Sequence, residues 1–311
     1  MPQTLPNPQT KGSVASSISA GRRRFDAPAP LRLWHLTSLD APSVAVVWSL
    51  GFAWAAGIRL PAWIPVLLAL AAWAVYITDR LLDVRGALRL GEMGGLRERH
   101  RFHDRHRRLL IPLAIAAACG AAAIVFMLMP AAARDRNSVL AAAALAYFTR
   151  VHSPGKGAGF GETRILRKEL LVGVLFTAAC ALPAFNRTDW LNGAKLWPFA
   201  AAAIFFALLA WLNCHAIERW ESGLSEGDFS RTRIRVFACL LALSGLLAAA
   251  IVSLTQFRPA ALLCAGAASA LLLAFLDRMR GRMTPLALRA GADLVLLTPL
   301  ALFTPLASLL R

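Results

Sequence analysis

Long apolar runs, separated by short charged segments, dominate this chain. Nine are read from the pattern, over 41–58, 62–79, 109–130, 137–150, 169–186, 197–218, 236–257, 259–277 and 286–307. A helix needs about 20 predominantly apolar residues to cross a bilayer, and all but the fourth run approach or exceed that length. Period-2 alternation is scarce within them, which argues against a transmembrane barrel. In the fourth run only Asn137 to Thr149 is free of charge, so Arg150 must snorkel at its end. Pro130 and Arg134-Asp135-Arg136 mark the turn between the third and fourth runs, and Pro299 predicts a kink inside the ninth. The pattern predicts an all-α polytopic membrane protein with nine transmembrane helices. It divides into a disordered cytoplasmic tail over 1–33 and a single domain over 34–311.

Composition sharpens this picture. Hydrophobic residues make up 58% of the chain, and its formal net charge is +17. In a soluble chain that charge would suggest nucleic acid, but zinc-ligand spacing and a separate basic domain are missing, so no nucleic-acid partner is expected. The basic residues instead collect on one face. Of the 34 lysines and arginines, 27 fall in the tail, 80–108, 150–168, 219–235 and 278–289, which nine crossings place on the same side. The positive-inside rule makes that side cytoplasmic and puts the C-terminus outside, as expected for a multi-pass protein of a bacterial inner membrane surrounded by lipid. The five cysteines lie in apolar runs without a CxxC and read as small buried hydrophobes. The oligomeric state is left open.

The chemistry gathers at two run ends. The second run closes with Val75-Tyr76-Ile77-Thr78-Asp79-Arg80-Leu81-Leu82-Asp83-Val84-Arg85. Asp79 and Asp83 stack on one helical face, at a C-terminus whose dipole is already negative. Arg80 and Arg85, or a divalent cation, would relieve them. The sixth run ends in the same direction with Asn213-Cys214-His215-Ala216-Ile217-Glu218-Arg219-Trp220-Glu221. Matched acidic ends on same-direction helices suggest a parallel internal repeat, runs 1–4 and 5–8, with the ninth added. Asp79, Asp83, Glu218 and Glu221 together suit Mg²⁺, which takes hard oxygen ligands and bridges to phosphate. Arg80, Arg150, His152, Arg164, Arg167 and Lys168 are candidates to neutralise a diphosphate. An apolar cavity between the helices would hold an isoprenoid tail. Asn213 and the aromatics Trp73, Tyr76, Tyr147 and Trp211 would stand near the reacting end, where aromatic faces stabilise a cation.

From about residue 35 to 307, the number, order and polarity of these spans resemble the UbiA superfamily of intramembrane prenyltransferases. Its first motif is Asn-Asp-x-x-Asp-x-x-x-Asp; Asp79 and Asp83 match the last two aspartates, and Val75-Tyr76 replace the leading pair. The second motif, Asp-x-x-x-Asp, corresponds to Glu218-Arg219-Trp220-Glu221, with the acids one residue closer. The family's Tyr-x-x-x-Lys keeps Tyr147 but has Val151 at the lysine. The resemblance implies a nine-helix bundle around a cytoplasmic-facing cavity. It also implies Mg²⁺-dependent transfer of a prenyl group from a prenyl diphosphate to a lipophilic acceptor. The four carboxylates would be catalytic and metal-binding, and Arg80, Arg150, Arg164 and Lys168 would bind diphosphate. The missing Asn-Asp keeps an alternative open: a non-catalytic lipid- or isoprenoid-binding protein, or a transporter, on the same scaffold.

Other polar residues have simpler readings. His100, His103 and His106 stand among six arginines in 97–108, which repel a cation, so the segment reads as a basic cap on headgroups or diphosphate. Asp293 with Arg289 reads as an i,i+4 ion pair, Asp277-Arg278 as a boundary pair, and His215 as a core residue. Lys168 either pairs with Glu169 or reaches the phosphate site.

Overall fold

A computed structural model describes residues 24–90, 97–152, 162–188, 193, 195–221 and 228–303, without the side chains of 89–90, 150–152, 162–167 and 228–232. The described chain is almost entirely helical. In order the helices are α1 (Ala29–Leu36), α2 (Asp40–Ala55), α3 (Trp63–Leu90), α4 (Glu98–Arg105), α5 (Arg107–Met127), α6 (Ala131–His152), α7 (Glu162–Phe185), α8 (Leu196–Glu221), α9 (Asp228–Ser253), α10 (Phe257–Met279) and α11 (Pro285–Leu294). A 3₁₀ helix, Val295–Phe303, continues from α11.

Among the described residues seven segments are long and apolar enough to cross a membrane, six of these helices and α11 together with its 3₁₀ extension, and α1 with α2, bent by 89°, make an eighth if counted as one span. Each of the nine expected runs falls mainly on helix where it is described, 304–307 of the ninth lying outside the described residues, but α6 is not among the seven, because Arg134, Asp135 and Arg136 lie in its first turns. Residues 24–33, part of the expected tail, contact the rest of the domain. Phe25 bridges to Met283, its amide donating to Arg282 O, and Thr284 Oγ1 donates to Asp26. Pro28 and Pro30 then start α1, where a missing N–H costs nothing. The remainder of the expected tail, 1–23, lies outside the described residues.

The outward side of α9 is apolar, as contact with lipid would require: Leu240, Leu243, Leu247 and Ile251 are all more than half exposed, as is Leu254 just beyond its end. Between helices, where tails are as apolar as side chains, close packing has to supply the cohesion. α2 lies centrally against α3, α7, α10 and the terminal 3₁₀ helix, and α8 packs on α7, α9 and α10. Trp48 of α2 stacks on Phe206 of α8 at 3.8 Å, with Phe52 beside both. A Cβ at Gly173 of α7 would come within 2.9 Å of Ala207 O and 3.0 Å of Trp211 N, so glycine is what lets the α7 and α8 backbones approach.

Two local features aim polar groups. The α1–α2 corner turns on Ser38, fully buried at φ 60°, a left-handed conformation uncommon for serine. After α11, Pro299 offers no N–H to the Leu296 carbonyl that a 3₁₀ turn would direct at it. Trp48 Nε1 donates to that oxygen at 2.8 Å. The kink expected at Pro299 is thus a change of helix type that ties the chain end to α2.

Candidate functional site

A cavity of about 550 Å³ opens between α2, α3, α7, α8, α11 and the strap formed by α4. Val44, Val172, Phe176, Ile217 and Leu296 form its apolar wall. Its polar lining holds six carboxylates (Asp40, Asp83, Glu169, Glu218, Glu221, Asp293) and five permanent cations (Arg80, Arg97, Arg99, Lys168, Arg289), with His100 beside them.

Glu221, at the last residue of α8, gathers three guanidinium groups. Arg289 Nη1 of α11 donates to both its oxygens at 2.8 Å, Arg99 Nη1 donates at 3.0 Å, and Arg97 Nη1 binds the second oxygen. The expected Arg289–Asp293 pairing is thereby displaced by a partner 68 residues away. Burial, and then repulsion from Arg289, push the Arg99 pKa down to about 9 in spite of Glu221.

Arg80 is buried and anchors a second network. Its Nη1 donates to Ser38 Oγ at 2.6 Å and to His35 O at 3.0 Å, and its Nη2 reaches Asp40 Oδ2 at 3.3 Å. His35 Nδ1 donates to the same Asp40 oxygen at 2.7 Å. His103 of α4 joins in. Its Nδ1 lies 2.8 Å from Arg99 O, which can only accept, so Nδ1 carries the proton and Nε2 accepts from Ser38 Oγ at 3.1 Å. Burial pushes the His103 pKa down to about 4. Burial and the neighbouring Arg99 push that of His100, 3.7 Å from Asp83, down to about 3. His106 turns instead to Phe102 O, so the three histidines share no ligand site.

On the inner walls, Asn213 Nδ2 donates to Asp293 Oδ1 at 3.3 Å and His215 Nδ1 donates to Glu169 Oε2 at 2.8 Å. Glu169 therefore pairs with His215 across two helices. Asp277, expected to pair with Arg278, is buried and accepts from Trp220 Nε1 at 2.9 Å. Asn213 Oδ1, Glu169 Oε1 and Arg289 Nε are buried without a partner.

Of the residues singled out from sequence, Asp83, Glu218, Glu221, Arg80, Lys168, Tyr76 and Asn213 line the cavity. Asp79 and Tyr147 are not part of its lining, and the side chains of Arg150 and Arg164 lie outside the described residues. Sequence reasoning missed His35 and Asp40. Both sit just before the first apolar run, where a charged residue reads as a boundary rather than a wall of the site. Among the described residues, His35, Asp40 and Asp293 bring ligand-type atoms within 4.8 Å of one another. The guanidinium of Arg80 on Asp40 opposes a cation there. Compared with family models, with curated proteins and with solved structures, the chain matches none of them.

Proposed function

We propose that this cavity binds a prenyl diphosphate with Mg²⁺ and serves transfer of the prenyl group to a lipophilic acceptor, as the resemblance to UbiA-type prenyltransferases implies. The observation that carries the reading is one cavity with an apolar wall for a chain and a densely charged wall for a polyanion. Six carboxylates against five cations leave the cavity lining as a whole without net positive charge, so Mg²⁺ arriving with the diphosphate would strengthen its binding.

Mg²⁺ commonly uses one or two carboxylates and completes its shell with phosphate oxygens and water. Asp83 of α3 and Glu218 of α8 fit that need from two helices; Glu221 has both oxygens on guanidinium groups. The metal would act as a Lewis acid on the leaving diphosphate. The chain's own part is to bind and to exclude water. Lys168 and the arginines meet the phosphate oxygens, while Phe176 and Tyr76 put aromatic surface on the cavity where positive charge develops on the prenyl carbon. In this reading α6 is a further crossing, giving nine, with the N-terminus and the basic loops cytoplasmic.

The test is binding of farnesyl diphosphate to protein in nanodiscs, with and without Mg²⁺, for wild type and for Asp83→Asn/Glu218→Gln. We expect Mg²⁺-dependent binding that falls at least about tenfold in the double variant, the size of one lost charge-assisted contact. The arginine triad on Glu221 favours a second reading, a non-catalytic isoprenoid- or lipid-anion-binding protein. Tight binding indifferent to Mg²⁺ and to both substitutions would select that reading and end the first.

A further inference from the structure

Arg97, Arg99 and Arg289 come from two elements far apart in sequence and converge on one carboxylate. A carboxylate offers two oxygens and a single negative charge, whereas three guanidinium groups bring three positive charges and a much larger set of donors. Charge and hydrogen bonds are both left in surplus. Arg289 Nε is buried without a partner, and the Arg99 cation is held at a cost that Glu221 does not offset. The residue one turn earlier, Glu218, is exposed. A phosphate group, with its higher charge and its three peripheral oxygens, matches this set of donors better than Glu221 does.

We propose that Arg97, Arg99 and Arg289 form a binding site for a phosphate or diphosphate group, and that Glu221 is its resident occupant, which the incoming anion displaces. This rests on the reading of the cavity as a phosphate-ester site but reverses the role expected for Glu221. It is a competitor of the ligand's anion and not a ligand of its metal. The sign of the effect separates the two roles. Removing a metal ligand weakens binding; removing a competitor tightens it.

The experiment titrates inorganic pyrophosphate into the full chain in phosphatidylcholine nanodiscs, with EDTA present, by calorimetry. Glu221→Gln should bind roughly tenfold more tightly than wild type. Glu221→Asp, which keeps the charge but withdraws it from part of the cluster, should tighten binding by a smaller factor. Arg289→Gln should weaken it at least as strongly as Glu221→Gln strengthens it. Thermal melts of each variant identify any loss that is merely unfolding, and the Glu221→Asp arm then decides. The same ranking with farnesyl diphosphate assigns the site to an isoprenoid ester; competition by phosphatidate built into the nanodisc assigns it to a lipid headgroup. Unchanged or weaker binding in both Glu221 variants, or no pyrophosphate binding by any form, overturns the proposal. Because the probe carries neither Mg²⁺ nor a prenyl chain, failure of the prenyl-transfer reading would leave this result standing.

Discussion

The two ends of the bundle are built from the same helices and held by opposite means. Toward one end, α2 and α8 meet through Trp48, Phe52, Phe199 and Phe206, buried rings in tilted and stacked contact. Toward the other, the same two helices carry Asp40, Asn213 and Glu221, and cohesion runs through charge-assisted hydrogen bonds. Packed rings tolerate only changes of shape. Ion networks tolerate changes of charge when partners change together, and a ligand can reorder them. The cavity lies at the ionic end.

The sharpest way to break the comparison is Arg80→Leu. It leaves Asp40 buried without its guanidinium partner, at an expected cost of about 3–5 kcal/mol. Replacing both members, as in Arg80→Leu/Asp40→Leu, should recover much of that loss, since the lone charge is gone. Denaturant or thermal melts in a single detergent read both. Failure of the double variant to recover would mean that Ser38 and His35 O, not Asp40, are the partners that matter.

At the close α7–α8 contact no such rescue is available. Gly173→Ala sets a methyl against the backbone of α8, and overpacking of this kind costs about 1–3 kcal/mol. Backbone cannot rotate away as a side chain can. A melting temperature equal to wild type would show that the helices separate freely.

The smallest effect is a titration. His103 in place has a pKa near 4 against an ordinary 6.5, so the docked strap binds fewer protons than the released one between those values. Docking of α4 is fully supported above about pH 6.5 and is lost progressively as the pH falls toward 4. Protonation removes the lone pair that accepts from Ser38. Amide protection in α4, corrected for the intrinsic exchange rate at each pH, should fall from pH 7 to 5 while the middle of α10 stays protected, and His103→Gln should flatten that dependence. Equal loss of protection in both helices would refute a local cause.

What sequence shows and what it hides follow from distance along the chain. Apolar length shows at once, which is why every run, where it is described, lies mainly on helix. The acidic ends of α3 and α8 are equally visible, because Asp83 and Glu218 each stand where an apolar run stops. The pairings are not visible. Glu221 finds Arg289 at a separation of 68 and Arg97 at 124, and nothing local distinguishes them from other arginines on the same face. Local rules instead suggest Arg289–Asp293 and Lys168–Glu169, pairs one turn or one residue apart. The fold overrides both with partners on neighbouring helices. His35 and Asp40 hide for another reason: only the 89° bend at Ser38 turns the segment before the first apolar run back against α3.

The passage from α-helix to 3₁₀ helix at Val295 also bears on reach. An α-helical residue advances about 1.5 Å and a 3₁₀ residue about 2.0 Å. Ten residues of α11 followed by nine of 3₁₀ helix therefore extend about 33 Å, where nineteen α-helical residues would extend about 28 Å. The hydrocarbon layer is about 30 Å thick. Stretching its final turns lets the last segment match that thickness with fewer residues.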